Sequence, residues 1–430
     1  MAAGHSVEPG RWSAAREELL GRVAARFGRV ERRRRFAAFL DGMLAELPRK
    51  NCWTIAEHAG EAGPGGMRHF LDRAVWDDEG VAADLREFVV DHLGEPDAVL
   101  VIDETGDVKK GNRTVGVQRQ YTGTAGRVEN AQVAVYLTYT ARAGHAMIDR
   151  ELYVPRSWTD DPDRCAEAGI PAEVEFATKP AQAAAMLTRA VEAEVTAGWV
   201  TGDEVYGADP MLRAHVEVLG LGYVLPIGCD RRVPTHGGLI RPDQIAAALP
   251  EHCWQRHSAG PGARGPRIYE WAWIVLTDAE GPGHRWLLIR RHPGTGELAY
   301  YRCYSPTPVG LPELVRVAGA RWTVEETFQG GKGLTGLDEH QVRRWTPWRR
   351  WTLIAMLAYA LLAVLAATEH TLHPAPDGLI ALTCNEIHRL FNRLILEPAR
   401  RLPNPLTWSY WRRRHQHRAR TSHYRRRPET

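Results

Sequence analysis

Lysine is nearly absent from this chain: 5 of its 55 basic Lys and Arg residues are Lys, and the other 50 are Arg. A GC-rich genome produces that bias as readily as a function does, so Arg number alone assigns nothing. Cysteine is sparse as well. The six residues (Cys52, Cys165, Cys229, Cys253, Cys303 and Cys384) are scattered, and no two form a CxxC pair. That excludes a disulfide framework and a cysteine zinc site, and it fits a reducing cytoplasm. No apolar core of a secretory signal stands near the N-terminus. Long apolar runs are missing, with one exception at residues 351–367. That run is rich in Ala and short for a membrane span of ~20 residues, so a buried core helix is expected and no membrane partner. No internal repeat is present.

What is there has the balance of a globular protein. Apolar residues make up 44% and charged residues 25%, and a length of 430 leaves room for several domains. The net charge of +3 hides clustering. Arg22, Arg26, Arg29 and Arg32 to Arg35 crowd one segment, and residues 401–430 hold nine Arg, three His and a single Glu. Both ends are candidates for polyanion contact, with a solvated helix face as the plainer alternative.

The chain is organised around Val99-Leu100-Val101-Ile102-Asp103-Glu104. An unbroken apolar run reads as a strand buried on both faces, and Asp103 stands where open sheets place their ligands. Trp199-Val200-Thr201-Gly202-Asp203-Glu204 repeats the pattern. Two strands each ending in Asp-Glu outline a metal site at one sheet edge. Strand alternation turns Glu104 and Glu204 to the face opposite the two aspartates.

Five segments follow from the pattern. Residues 1–95 are helical, with one long helix over 16–45. Short helices at 53–60 and 67–74 are separated by Gly63-Pro64-Gly65-Gly66, the outline of a DNA-binding helix-turn-helix or of a plain bundle. Residues 96–227 give three strands and then helix-strand-helix-strand, the order of an RNase H-like core. Residues 228–305 form a β-rich insertion with strands at 269–276, 285–290 and 298–304. Residues 306–370 return to helices and complete the core. Residues 371–430 carry one helix, 384–396, and a basic tail.

Two-metal chemistry on phosphates needs carboxylates from separate elements, because hard cations such as Mg²⁺ take oxygen ligands and keep positions open. The third carboxylate is expected on Arg321-Trp322-Thr323-Val324-Glu325-Glu326. On a helix Arg321, Glu325 and Lys332 share a face, and Glu326 is turned by about 100°. Singly, a strand-end Asp is often structural, and an Arg/Glu/Lys face is usually solvated. Lys109, Lys110, Arg119 and Arg127 are the cations near Asp103 in sequence, candidates with Arg321 and Lys332 for DNA phosphates. The pair Gly330-Gly331 is expected to fray the helix before Lys332. Tyr206, Trp345, Trp348 and Trp351 are expected in the core, with base stacking as the alternative.

The strings VLVIDETG (99–106), KKGNRTVGVQRQYTGTAGRVENAQV (109–133), WVTGDEVYG (199–207) and RWTVEETFQGGKGLTGLDEHQVR (321–343) resemble those of bacterial DDE insertion-sequence transposases with a β insertion before the catalytic Glu. The resemblance implies Asp103, Asp203 and Glu325 as catalytic and metal-binding triad, with two Mg²⁺ or Mn²⁺ ions. It also implies binding, cleavage and joining of an element's inverted-repeat ends to target DNA by a homodimer in the bacterial cytoplasm. One position departs: three residues before Arg321, where related families carry Tyr, stands Ala318. The alternatives are a DNA-binding regulator of the same ancestry without chemistry, and a metal-dependent hydrolase of small phosphoesters.

Overall fold

The computed structural model describes residues 7–262, 265–277, 281–375, 380–397, 413, 414 and 418. The expected basic tail falls almost wholly outside them. The chain divides into two compact units, residues 82–329 and residues 1–81 with 330–430. These cut points differ from the five segments expected from composition: the N-terminal helices share a unit with residues beyond 329.

Residues 82–329 are built on one sheet. Its first strands are β1 (Val99–Val108), β2 (Gln118–Thr122), β3 (Arg127–Thr140), β4 (His145–Leu152), β5 (Trp199–Thr201) and β6 (Gly222–Ile227). β1 pairs antiparallel with β3 and parallel with β5, and β5 pairs parallel with β6. On its other side β3 takes β2 along its first half and β4 along its second. The order β4-β3-β1-β5-β6 is that of the expected RNase H-like core. Val99 to Ile102 are at most 1% exposed, and strands flank Val99 to Val101 on both sides. Helix Lys179–Glu192 makes the crossover into β5; Thr178 caps it and Pro180 stands in its first turn. It ends earlier than the apolar spacing suggests, where Glu194 takes a φ of 55°.

The insertion continues the same sheet. After a small hairpin of β7 (Val233–Thr235) and β8 (Gly238–Ile240), the strands are β9 (Gln255–Ser258), β10 (Ile268–Val275), β11 (His284–Arg291) and β12 (Leu298–Ser305). β12 pairs with β6, so the order runs on as β6-β12-β11-β10-β9. Trp271, Trp286, Leu288 and Tyr301 then join the core that holds Val99 and Val101.

The other unit is helical. The expected helix over 16–45 is two, Pro9–Val23 and Val30–Leu44. Apolar spacing runs through the break because Phe27, in the turn, is itself fully buried against Phe36, Phe70 and Trp76. Helix Trp345–Leu372 contains the long apolar run and is buried at nearly every position, as expected of a core helix. Trp345, Trp348 and Trp351 all lie in this core. Gly330-Gly331 does not fray its helix, which runs from Trp322 to Thr335 and carries Lys332 in its last turn. The reason is packing: a Cβ on Gly330 would sit 2.4 Å from the Tyr359 ring, so glycine permits a close approach that holds the helix.

Candidate metal centre

β1 does not stop at Asp103. It runs to Val108 alongside β3, but its parallel neighbour β5 ends opposite Val101. Beyond that point no strand among the described residues pairs with the β5 side of β1, and the acidic residues stand beside this opening. Asp203 lies two residues past β5 and is the N-cap of the short helix Glu204–Gly207. Its Oδ1 accepts the backbone N–H of Val205 at 2.8 Å and of Tyr206 at 3.4 Å. This cap fixes the carboxyl group and leaves its second oxygen available.

One oxygen each from Asp103, Glu104 and Asp203 lie within 4.8 Å of one another. Alternation therefore misplaces Glu104. It does not turn away from the aspartates, because no strand confines its long side chain on the β5 side. There Tyr206 Oη donates to Glu104 Oε2 at 2.6 Å and Lys179 Nζ donates to Oε1 at 2.5 Å. Tyr206 is fully buried. It is therefore a core residue with a polar task and no stacking platform. Glu204 is exposed on the first turn of its helix.

Burial pushes the Asp103 carboxyl up to about 7; Arg321 opposes the shift and Asp203 adds to it. Asp203 is raised by burial and then by Glu104. Burial and the neighbouring Glu104 raise the Tyr206 hydroxyl well above its ordinary value, so it stays a donor. Crowded carboxyl groups with raised pKa are what a cation would relieve, and an all-oxygen donor set suits a hard divalent ion.

Arg321 links the third expected carboxylate to this group. Its Nη2 lies 3.3 Å from Asp103 Oδ2 and its Nη1 3.5 Å from Glu325 Oε1. Glu325, half exposed in the first turn of helix Trp322–Thr335, reaches the cluster across that guanidinium. Its neighbour Glu326 faces His145 at 3.6 Å instead. Beside Asp203 opens a cavity of about 300 Å³ whose lining includes Arg267, Arg290, Arg321, Tyr301, Trp322 and Ala318. Arg267 is held by the Ala259 and Gly319 carbonyls and stands 5.4 Å over the Trp322 ring. Acidic oxygens thus stand next to three guanidinium groups, which could stabilise negative charge developing in a reaction there.

A family model of the DDE superfamily endonucleases matches residues 22–248, more than half of the 430. The chain belongs to the DDE superfamily of endonucleases. Asp103, Glu104 and Asp203 of this DDE endonuclease lie inside the match, and Glu325 lies beyond it. A probable transposase for insertion sequence element IS701 from Microchaete diplosiphon is 28% identical over 268 residues. The alignment spans 59% of this chain and 65% of that protein, less than two thirds of its length. Among solved structures, a piggyBac transposase synaptic complex with hairpin DNA aligns over 90% of this chain and 80% of its own, at a TM-score of 0.43 and 10% identity.

The remaining cations predicted for this DDE endonuclease lie elsewhere. Lys109 and Lys110 follow the far end of β1, where Asn130 of β3 holds the Lys109 and Gly111 carbonyls. Arg119 and Arg127 are exposed on the β2–β3 hairpin, and Arg127 pairs with Glu129. At about 3.3 Å per residue, β1 carries its end ~17 Å past Asp103. These four residues therefore cluster at the hairpin and do not surround the carboxylates. Sequence reading missed Glu104, Lys179, Arg267 and Arg290. Lys179 had one signal, as a rare Lys in an Arg-biased chain. Arg290 had none, since only the β6–β12–β11 pairing brings it in.

Tyr206→Phe tests the support of Glu104. It removes one hydrogen bond to a carboxylate and keeps the buried ring, so the melting temperature should change little. Any metal-dependent DNA cleavage should fall by about ten- to a hundredfold, given that a lost bond to a charged group is worth roughly 1.5–3 kcal/mol. Equal activity in the variant would show that Glu104 needs no anchoring.

Proposed function

We propose that this DDE endonuclease is a transposase. It would bind the inverted-repeat ends of an insertion sequence, hydrolyse the phosphodiester at each end, and join the freed 3′-hydroxyls to target DNA. The observation that carries the reading is the meeting of Asp103 on β1 with Asp203 just past the end of its parallel neighbour β5, with Arg321 tying Glu325 to Asp103. The likeness to an IS701 transposase supports the transposition step. Mg²⁺ or Mn²⁺, two ions in this reading, would be held by Asp103, Asp203 and Glu325, with Glu104 within reach of the first two. Bound there, the ions would polarise the scissile phosphate and lower the pKa of the attacking water or hydroxyl.

The chain's own residues supply the rest. Lys179 and Tyr206 hold Glu104, and the cap on Asp203 fixes that carboxyl group. Arg321 balances Asp103 and Glu325 when no ion does so. Arg267 and Arg290 present positive charge to a phosphate entering the cavity beside Asp203. Two element ends must be held at once, which asks for a homodimer, and the setting is the bacterial cytoplasm at the nucleoid.

The test is linear DNA carrying the element's inverted repeats, incubated with the full chain and Mg²⁺. Strand cleavage at the ends that vanishes in Asp203→Ala is the expected result. Tight binding without cleavage under any divalent metal would favour the regulator. Turnover of a small phosphoester without DNA would favour the hydrolase.

A further inference from the structure

The helical unit contains an open groove of about 940 Å³. Three helices begin at it: Cys52–His58, Gly65–Asp72 and Trp345–Leu372. Asn51 caps the first with its own side chain. The other two have no side-chain cap, and the positive ends of their dipoles lie at the groove. Helix Gly65–Asp72 buries Met67, Phe70 and Leu71 and turns Gly65, Arg68, His69 and Asp72 to the other side, at helical spacing.

The charge of the groove is one-sided. Arg68, Arg73, Arg343 and Arg344 line it, and Asp72 is the one acid among the described lining residues. Asp72 is shared by Arg73 and Arg344, each at 3.7 Å. Arg68 and Arg343 have no carboxylate within 4.0 Å among the described residues, and both are exposed. Past Gly65 and Arg68 the groove continues into a second one of about 650 Å³ that adds Arg35, Arg414 and Arg418 against Glu61. Guanidinium groups spread over two adjoining grooves match an extended polyanion better than a compact anion.

We infer that this groove binds the phosphate backbone of duplex DNA, as a second nucleic-acid surface built apart from the carboxylate cluster. The inference rests on the transposase reading and adds the surface on which flanking duplex is held. A duplex presents one phosphate charge per about 1.7 Å of axis, so neighbouring arginines can each take one. Single-strand sites rely on exposed aromatic rings for stacking, and among the described lining residues Trp53 is the one accessible Trp, Tyr or Phe ring, with the His69 imidazole also in the lining. The surface is not the expected N-terminal helix-turn-helix alone, since Arg343 and Arg344 come from the chain beyond Glu325.

The test is fluorescence anisotropy of a labelled 30-base-pair duplex of arbitrary sequence with the full chain. It is run in EDTA, so that no metal serves the carboxylates, from about 50 to 200 mM KCl. Each phosphate contact contributes about −0.9 to the slope of log K against log salt. The variant Arg68→Ala/Arg73→Ala/Arg343→Ala should flatten that slope by about 2 to 3 and weaken binding at least tenfold at low salt. The charge-keeping Arg68→Lys/Arg73→Lys/Arg343→Lys should keep the slope within about 1 of wild type. An Ala variant with unchanged slope and affinity overturns the groove while wild-type binding and end cleavage leave the transposase reading standing. A Lys variant that loses binding as fully as the Ala variant overturns a charge-based site. A poly-glutamate peptide that displaces the duplex at equal charge concentration assigns the groove to an acidic protein partner. Failure of the wild type to bind or cleave any DNA takes the transposase reading with it.

Discussion

Asp103→Asn should abolish the metal-dependent DNA cleavage proposed for this protein and make the metal-free protein harder to unfold at pH 8. The loss of activity follows from removing one of the convergent carboxylates. Transition-state stabilisation by a bound metal is worth several kcal/mol, so a fall of about a thousandfold or more is expected. The gain in stability has an opposite-looking cause. Burial, with Asp203 adding to it, raises the Asp103 carboxyl to about 7 in the fold, and in the unfolded chain it titrates near 3.8. Between those values the folded protein binds the extra proton, so stability falls as pH rises through about 4 to 7. Below that window the charge is absent from both states and costs nothing. Above it the folded state carries a charge it resists, at a cost of at most about 4 kcal/mol, which Asn removes. The two proteins should therefore melt together near pH 4 and diverge towards pH 8, with the variant higher. Added Mg²⁺ should raise the wild type and not the variant. Calorimetry across that range reads both effects, and a variant that melts lower at pH 8 would mean Asp103 is stabilised as an anion in the fold.

Arg350→Ala unfolds the helical unit at a far lower temperature. Arg350 lies inside helix Trp345–Leu372 and is 6% exposed. Its Nη1 donates to the carbonyls of Leu71 at 3.1 Å and Ala74 at 2.8 Å, with a longer contact to Phe70 at 3.4 Å. Its guanidinium also stacks 4.5 Å from the Trp76 ring. These carbonyls close helix Gly65–Asp72 and the turn after it; that of Phe70 also accepts the Trp76 indole N–H at 3.1 Å, and a cation is well placed at that end of the dipole. Truncation to Ala strands several buried acceptors and opens a cavity, for a cost of about 3–5 kcal/mol. Arg350→Met refills the volume but not the bonds and should fall between the two. A shift of the melting temperature under 2 °C for Arg350→Ala would contradict this account of how the helix is held.

Much of the centre was legible from residues 99–106 and 199–207. Unbroken apolar runs between strands leave few places but the middle of a sheet, and the order of elements fixed their pairing. The insertion strands were legible for the same reason, as alternating runs between Gly/Pro turns. What escaped had physical causes in common. Glu104 was misplaced because alternation assumes a strand with neighbours on both sides, and β5 stops at Thr201. Asp203 is a helix cap and not a strand residue, which one additional Gly decided. Lys332 stays helical because Tyr359 packs on Gly330, a contact 29 residues away in sequence that no local propensity contains. Arg267 and Arg290 reach the cavity only through long-range antiparallel pairing. The break at Phe27 was invisible because a turn residue there is as buried as a helix residue.

Asp103 and Asp203, with Glu104 within reach, must share at least one of the two proposed cations. Titration of Mn²⁺ into the full chain, followed by the loss of its free electron paramagnetic resonance signal, reads this directly. The wild type should bind. Asp103→Asn and Asp203→Asn should each weaken binding by at least about tenfold, and the double variant should weaken it by less than the product of the two, as ligands of one ion do. Mn²⁺ bound equally well by all four proteins would place the metal, and the chemistry that needs it, somewhere other than at the edge of β1.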